Sequence, residues 1–137
     1  MNRLLEHYFS FQGRLGRVPF FVRTLYLTIA AWIVTFAAIP LFSTDTRLGW
    51  WAGLAVVIAG LAMLIVGLVS IIVRRLHDLG LSGYHAIWVG MAEAGWGALS
   101  YGPPGVILLA LPLLAIDLWL IFWPGNAGAN RFGEAPA

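Results

Sequence analysis

A short segment near the middle of the chain concentrates side chains that could do chemistry. It contains two adjacent arginines, a His–Asp pair and a stretch rich in Gly and Ser, and it reads Arg74-Arg75-Leu76-His77-Asp78-Leu79-Gly80-Leu81-Ser82-Gly83-Tyr84. Arginine presents a fork of donors that suits phosphate or carboxylate. Ser82 and Gly83 lead into a predicted helix start, where free backbone N–H groups favour an anion. The segment therefore indicates a site for a lipid headgroup or another phosphate-bearing ligand on a loop.

The same segment also permits a catalytic or metal-binding interpretation. His77 and Asp78 could act as an acid–base pair, and His7, His77 and His85 could together hold a metal ion. However, adjacent residues on a loop rarely meet the geometry that acid–base catalysis requires. A His beside an Asp is more often a local hydrogen-bonding pair. We therefore expect a protein that is not an enzyme and that uses no metal and no cofactor.

The composition indicates which solvent surrounds the chain. The 137 residues are 61% hydrophobic and 10% charged, with a mean hydropathy of +0.86, whereas an average soluble domain carries roughly 25% charged residues. A single domain of this size cannot hide so much apolar surface from water, so residues 1–137 are predicted to form one membrane domain. There is no Cys, and all eight basic residues are Arg without a dense basic stripe, so we expect no nucleic-acid partner.

Four apolar stretches predict four membrane-spanning helices. They cover about residues 20–42, 50–73, 86–101 and 106–123, and a helix needs roughly 20 residues to cross the hydrocarbon core. The third stretch is the shortest and contains Glu93, and a Gly- and Pro-rich turn at 101–105 separates it from the fourth. The predicted fold is an all-α, polytopic four-helix bundle. A short interfacial helix over Met1–Phe11 precedes it, with a disordered leader as the alternative.

The arginines predict the orientation of these spans. Seven of the eight flank the cytoplasmic ends of the four stretches, and only Arg47, with Asp45 beside it, lies in a loop on the other side. An excess of positive charge marks the cytoplasmic side of a membrane protein. We therefore expect both termini in the cytoplasm.

Glycines in the second stretch predict how the helices pack. Gly53, Gly60 and Gly67 recur every seven residues, and such a stripe of small residues allows a neighbouring helix to approach closely. The stripe is expected to be a packing seam rather than a ligand site.

Three ionisable residues are predicted to lie within the membrane. Glu93 lies roughly 10 Å and Asp117 roughly 9 Å inside the cytoplasmic ends of the third and fourth spans, at ~1.5 Å per residue. Arg23 enters the first span from the same side. Such residues mark functional sites by default, although ion pairs that fix helix register are the alternative.

Three motifs make the sequence recognisable. Arg74-Arg75-Leu76-His77-Asp78, followed by Gly80 and Ser82-Gly83, resembles the signature of the Domain of Unknown Function 805 family of bacterial inner-membrane proteins. The stretch Phe11 to Phe20, with Gly13, Arg14 and Arg17, is similar to the family's N-terminal motif. Asn130-Arg131-Phe132-Gly133 is similar to its C-terminal ending. The resemblance implies a four-helix protein of the bacterial inner membrane, and the predicted topology places all three motifs at the cytoplasmic face. We expect their polar residues to share one surface: Arg14, Arg17, Arg74, Arg75, His77, Asp78, Ser82, Gly83, Asn130 and Arg131.

Three functions remain open for this surface. The favoured one is a binding module for an anionic lipid headgroup, a phosphorylated ligand or a partner protein, because Arg exceeds acid in the motifs. The second is a small transporter or channel that uses Glu93 and Asp117 and requires a homo-oligomer. The third is purely structural: Asp78 pairs with an Arg, and Asn130 caps a chain end, so that the loops are locked together.

Overall fold

The computed structural model describes residues 8–44, 46–99 and 111–136, with the side chains of 93–99 and 113 excepted. This part of the chain contains four α-helices: α1 (Arg17–Phe42), α2 (Arg47–Asp78), α3 (Ala86–Leu99) and α4 (Leu111–Phe122). A short 3₁₀ helix, Gly83–His85, leads into α3. The described residues form no β-sheet, so the all-helical class is confirmed for them.

Helices α1 and α2 are long and apolar enough to cross a membrane. Their 26 and 32 residues extend ~39 Å and ~48 Å at ~1.5 Å per residue, which exceeds the ~30 Å hydrocarbon core. Large apolar side chains along them, such as Trp32, Ile33 and Met63, have about 60% of their surface exposed. In water such exposure would be unfavourable, so these two helices are typical of membrane association.

The predicted third and fourth spans are described only in part. Helix α3 begins at Ala86, as predicted, and is followed to Leu99, whereas α4 is described from Leu111 to Phe122. The turn predicted at 101–105 lies outside the described residues. The interfacial helix predicted for Met1–Phe11 falls mostly outside them as well, although Tyr8 and Phe9 are helical.

The prediction of a loop from Arg74 onward is wrong, because α2 continues as a helix to Asp78. No helix-breaking residue precedes Gly80, whose φ of 77° ends the helix. The N–H of Leu81 donates to the Leu76 carbonyl at 2.8 Å, and the N–H of Gly80 donates to the His77 carbonyl at 3.1 Å. This pair of bonds is the Schellman arrangement that satisfies carbonyls at a helix end. The signature residues therefore sit on the last turns of a rigid helix.

The glycine stripe of α2 forms a packing seam, as its spacing predicts, and the helix that packs against it is α1. A Cβ atom on Gly60 would lie 2.5 Å from Val34 Cγ1, and one on Gly67 would lie 3.2 Å from Leu27 Cδ1. At Gly53 the nearest atoms would belong to Phe42, at 3.1 Å. Glycine thus allows the two backbones to approach closely along the seam.

A small apolar core lies at one end of the helices, where the motifs meet. It joins the N-terminal motif, the end of α2, the start of α3 and the end of α4: Leu15, Phe20, Ile71, Ile72, Leu76, Ala86, Val89 and Leu120. Because this core contains residues from both ends of the sequence, it brings the three motifs into contact.

Candidate functional site

Asp78 lies at the centre of the motif residues and binds two arginines. Arg14 donates to Oδ1 of Asp78 through Nε at 3.1 Å and Nη2 at 2.9 Å, and Arg75 donates to Oδ2 through Nη1 at 2.6 Å. Both residues are buried: 0% of the surface of Arg75 and 2% of that of Asp78 is exposed. Forked, charge-assisted contacts of this kind are strong and directional. We call Arg14, Arg75 and Asp78 the buried triad.

The remaining donors of the triad bind backbone carbonyls near the end of α4 and beyond it. Arg75 donates through Nε to the Leu120 carbonyl at 2.7 Å and through Nη2 to the Trp123 carbonyl. These are carbonyls at the end of α4, which have no helical partner of their own. Arg14 reaches further along the chain, to the carbonyls of Asn126, Gly128 and Gly133. The triad therefore ties the N-terminal motif, α2 and the C-terminal segment together.

The chain passes close to Asp78 at Gly125 and Asn126. The backbone N–H of Asn126 donates to the Asp78 carbonyl at 2.9 Å, and a Cβ atom on Gly125 would lie 2.0 Å from Oδ2 of Asp78. Only glycine fits at this position. Sequence reasoning missed both residues because their backbone, rather than a reactive side chain, makes the contacts; the Pro124-Gly125-Asn126 run was the available signal for a tight turn.

His77 lies beside the triad and is held by residues of the other two motifs. Its Nδ1 lies 3.1 Å from the Gly13 carbonyl oxygen, and its ring stacks on Phe132 with centroids 3.8 Å apart and planes 7° from parallel. Asn130 Nδ2 donates to the His77 carbonyl at 2.9 Å, and Asn130 Oδ1 accepts from the Phe132 N–H. Because His77 Nδ1 binds Gly13 and both Asp78 oxygens bind arginine, the two neighbours do not form an acid–base dyad.

The other motif residues lie around the triad with different exposures. Arg17 and Arg131 are exposed, and the Arg131 guanidinium lies 4.6 Å from the Phe132 ring centroid. Arg74 is half-buried, and its carbonyl accepts from the Leu15 N–H at 3.0 Å. Ser82 caps the 3₁₀ helix by accepting from the Tyr84 N–H. The structure thus brings the predicted motif residues to one end of the helices, but it buries two of the arginines in internal contacts.

A cavity of about 360 Å³ opens beside the triad at the start of α1. Gly16 stands at the N-cap without a side-chain cap, so the first N–H groups of α1 have no capping partner there. The cavity is lined by Gly16, Arg17, Val18, Pro19, Asp78, Asn126 and five neighbouring small or apolar residues. Arg17 also repels the Arg75 guanidinium electrostatically. This corner therefore combines an exposed Arg, an uncapped helix start and an excess of positive charge.

The predicted intramembrane cluster is described only in part. Asp117 on α4 lines a second cavity, of about 350 Å³, together with Thr24 and Thr28 of α1. Arg23 is half-buried on α1. The side chain of Glu93 lies outside the described residues, so its predicted place in this layer stays a prediction.

Within the described ranges, no three His, Asp or Glu side chains converge as a metal site requires. His85 is exposed on the 3₁₀ helix, whereas the His77 ring contacts Gly13 and Phe132. The third predicted ligand, His7, lies outside the described residues.

In the part of the chain that the structure describes, fold and site together define an all-helical arrangement with two helices of membrane-spanning length, organised around a buried Arg–Asp–Arg triad. The family model described as Protein of unknown function (DUF805) matches residues 8–134. The chain therefore belongs to this family, and the resemblance carried by the three motifs is confirmed. Among curated proteins and solved structures, none matches the chain.

Proposed function

We propose that this protein spans the bacterial inner membrane four times with both termini in the cytoplasm, and that it binds anionic lipid headgroups at its cytoplasmic face. The membrane-length helices α1 and α2 support the placement in a membrane. The distribution of arginine supports the orientation, since seven of eight flank one side. The buried triad then lies at the boundary between hydrocarbon and cytoplasm.

The main support for the proposed binding function is the charge balance at the end of the helices that contains the buried triad. Two guanidinium groups, those of Arg14 and Arg75, share the single carboxylate of Asp78, so the triad retains one uncompensated positive charge. Arg17 adds a further positive charge close by. Burying cations without full compensation is costly, and an anion at the adjacent cavity would reduce that cost. The cytoplasmic leaflet supplies such anions as phospholipid headgroups.

The geometry assigns different roles to the arginines. Arg14 and Arg75 already bind Asp78 and backbone carbonyls, so they supply charge rather than direct contacts. Arg17 is exposed at the mouth of the 360 Å³ cavity and is the residue placed to contact a phosphate. Gly16, Arg17 and Val18 at the uncapped start of α1 line the same cavity, and free N–H groups at a helix start favour an anion. The role is therefore one of binding, without a catalytic step.

Lipid co-purification from mixed membranes tests the proposal. Arg17→Gln should reduce the retained anionic phospholipid about fivefold relative to phosphatidylethanolamine, since one basic residue near an anionic surface contributes about 1 kcal/mol. Arg47→Gln is the matched control, because Arg47 begins α2 at the opposite end, and it should retain the wild-type ratio. An equal ratio in wild type and Arg17→Gln would overturn the headgroup site, and retention of a soluble phosphorylated molecule or a protein instead would reassign it.

A second candidate function, movement of a proton or small cation, is favoured by the cavity at Asp117. The Oγ1 of Thr24 is buried there without a hydrogen-bond partner among the described residues. The hydroxyl of Thr28 donates to the Thr24 carbonyl at 3.0 Å, which leaves its oxygen free to accept. In a liposome flux assay Asp117→Asn should abolish transport, whereas Glu134→Gln, at an exposed position, should not. Full flux with Asp117→Asn rules this function out.

A further inference from the structure

The orientation of the His77 ring determines which nitrogen is available to a ligand. A carbonyl oxygen can only accept a hydrogen bond, so the 3.1 Å contact with the Gly13 carbonyl requires a proton on Nδ1. In the neutral ring Nε2 is then an acceptor. The parallel stack with Phe132 and the bond from Asn130 to the His77 backbone restrain this orientation. His77 therefore presents a fixed lone pair that its own motif contacts do not use.

Because Gly83 has no side chain, it leaves Nε2 of His77 accessible. A Cβ atom on Gly83 would lie 3.4 Å from Nε2 of His77 and 2.9 Å from Cγ1 of Val73, so a larger residue would contact the ring nitrogen and force Val73 to shift. Both His77 and Gly83 line a cavity of about 570 Å³ between the end of α2 and the start of α3. Ligand pockets typically have volumes of ~300–1,000 Å³.

The lining of this cavity combines one polar corner with an apolar channel. The polar corner consists of His77 and Ser82, whose Oγ accepts from the Tyr84 N–H and whose hydroxyl proton remains available. The rest is apolar or aromatic and comes from α2, α3, the 3₁₀ helix and the N-terminal motif: Phe11, Val69, Val73, Gly83, Tyr84, Ala86, Ile87 and Gly90. Among the described residues that line the cavity, none is charged, so its lining suits a hydroxyl and an apolar chain.

We propose that this cavity binds a long-chain alcohol, with the hydroxyl donating to Nε2 of His77 and accepting from Ser82, and with the hydrocarbon chain along α2 and α3. The hydroxyl has two sources in a membrane: a neutral lipid such as diacylglycerol, or the glycerol headgroup of phosphatidylglycerol. The site is separate from the headgroup site at Arg17 and rests only on the membrane placement given above.

Photolabelling of the full-length protein in phosphatidylcholine nanodiscs tests this site. The probe is a photoreactive hexadecanol, and its methyl ether, which has no donor, is the reference. Wild type should be labelled about fivefold more by the alcohol than by the ether, as one hydrogen bond of ordinary net strength implies. His77→Asn places an amide nitrogen near the Nδ1 position and removes the Nε2 acceptor, so the ratio should fall to unity while labelling by the ether is unchanged.

Two glycine variants keep the test decisive if His77→Asn does not fold. Gly83→Ala places a methyl group against Nε2 and should also lower the ratio to unity. Gly128→Ala is the matched control: it lies outside this cavity and a Cβ atom there meets nothing within 4 Å, so the ratio should stay at the wild-type value. A ratio of unity in wild type, or a wild-type ratio in folded Gly83→Ala, overturns the proposal.

Competition identifies the source of the hydroxyl. Displacement of the probe by diacylglycerol assigns a neutral lipid alcohol, and displacement by phosphatidylglycerol assigns a headgroup. Displacement by neither contradicts the proposal. Arg17→Gln should change neither the labelling ratio nor the outcome of the competition. Failure of this site is therefore distinguishable from failure of the anionic headgroup site.

Discussion

Arg75 and Asp78 lie one helical turn apart at the end of α2, and their side chains meet at 2.6 Å with almost no exposed surface. Arg14, which lies 64 residues earlier, binds the other oxygen of the same carboxylate. A pair that is local in sequence therefore becomes the point at which the two ends of the chain are joined. The stability of this end should depend on the carboxylate more than on any apolar residue around it.

Asp78→Asn should strongly destabilise the protein. Removing the carboxylate leaves two buried guanidinium groups without their anion, which costs about 3–5 kcal/mol when one partner of a buried pair is lost. Thermal unfolding in detergent measures the effect, and Glu134→Gln, which neutralises an exposed acid, is the control. An unfolding temperature equal to that of the control would show that the triad contributes nothing to stability.

Gly125→Ala should destabilise the same end by a steric route. The added Cβ atom would lie 2.0 Å from Oδ2 of Asp78, so the turn must move away from the triad at a cost of about 1–3 kcal/mol. Gly128→Ala is the matched control three residues later, since a Cβ atom there meets nothing within 4 Å. Equal unfolding temperatures for the two variants would contradict the described course of the turn.

The seam between α1 and α2 predicts a compensating pair of substitutions. Gly60→Ala brings a methyl group to 2.5 Å from Val34 Cγ1, so the single variant should be less stable than wild type. Val34→Ala removes Cγ1, the atom that the added methyl group would contact. In the double variant it should restore much of the stability lost in Gly60→Ala. A double-mutant cycle should give a coupling of about 0.5–3 kcal/mol; strictly additive effects would place the seam elsewhere.

The proposed sides of the membrane for two segments can be tested directly because the chain contains no Cys. Single cysteines at Thr44, after α1, and at Ala127, after α4, lie at exposed positions. A membrane-impermeant maleimide added to intact cells should label Thr44→Cys and should leave Ala127→Cys unlabelled until the cells are lysed. Labelling of both positions in intact cells would refute a cytoplasmic C-terminal segment.

Periodicity, hydropathy and the arginine distribution predict much of the fold. The heptad glycines predict the face of α2 that meets α1, because a packing seam requires small side chains at a fixed helical spacing. The topology predicted from hydropathy and the arginine distribution places Arg14, His77 and Asn130 at one end. The first prediction depends on residue spacing and the second on composition along the chain, and the sequence displays both.

The partners of the site residues could not be predicted in the same way. The Arg-rich segment looked like a ligand-binding loop, yet Arg75 faces inward on a helix and binds the carbonyls of Leu120 and Trp123. Backbone carbonyls carry no residue-specific signal, so nothing in the sequence distinguishes an arginine that binds them from one that binds phosphate. The same holds for Gly125, whose role depends on a distance to Asp78 that arises only in the folded chain.

The carbonyls that bind Arg14 and Arg75 all belong to the stretch from Leu120 to Gly133, which is synthesised after both arginines. During translation the two guanidinium groups therefore cannot form these hydrogen bonds until the C-terminal carbonyls have been synthesised. The contacts at this end are complete only when α4 and the following turn have docked. Assembly of this end therefore requires the C-terminal motif. A chain that stops before that motif leaves the positively charged guanidinium groups without these acceptors.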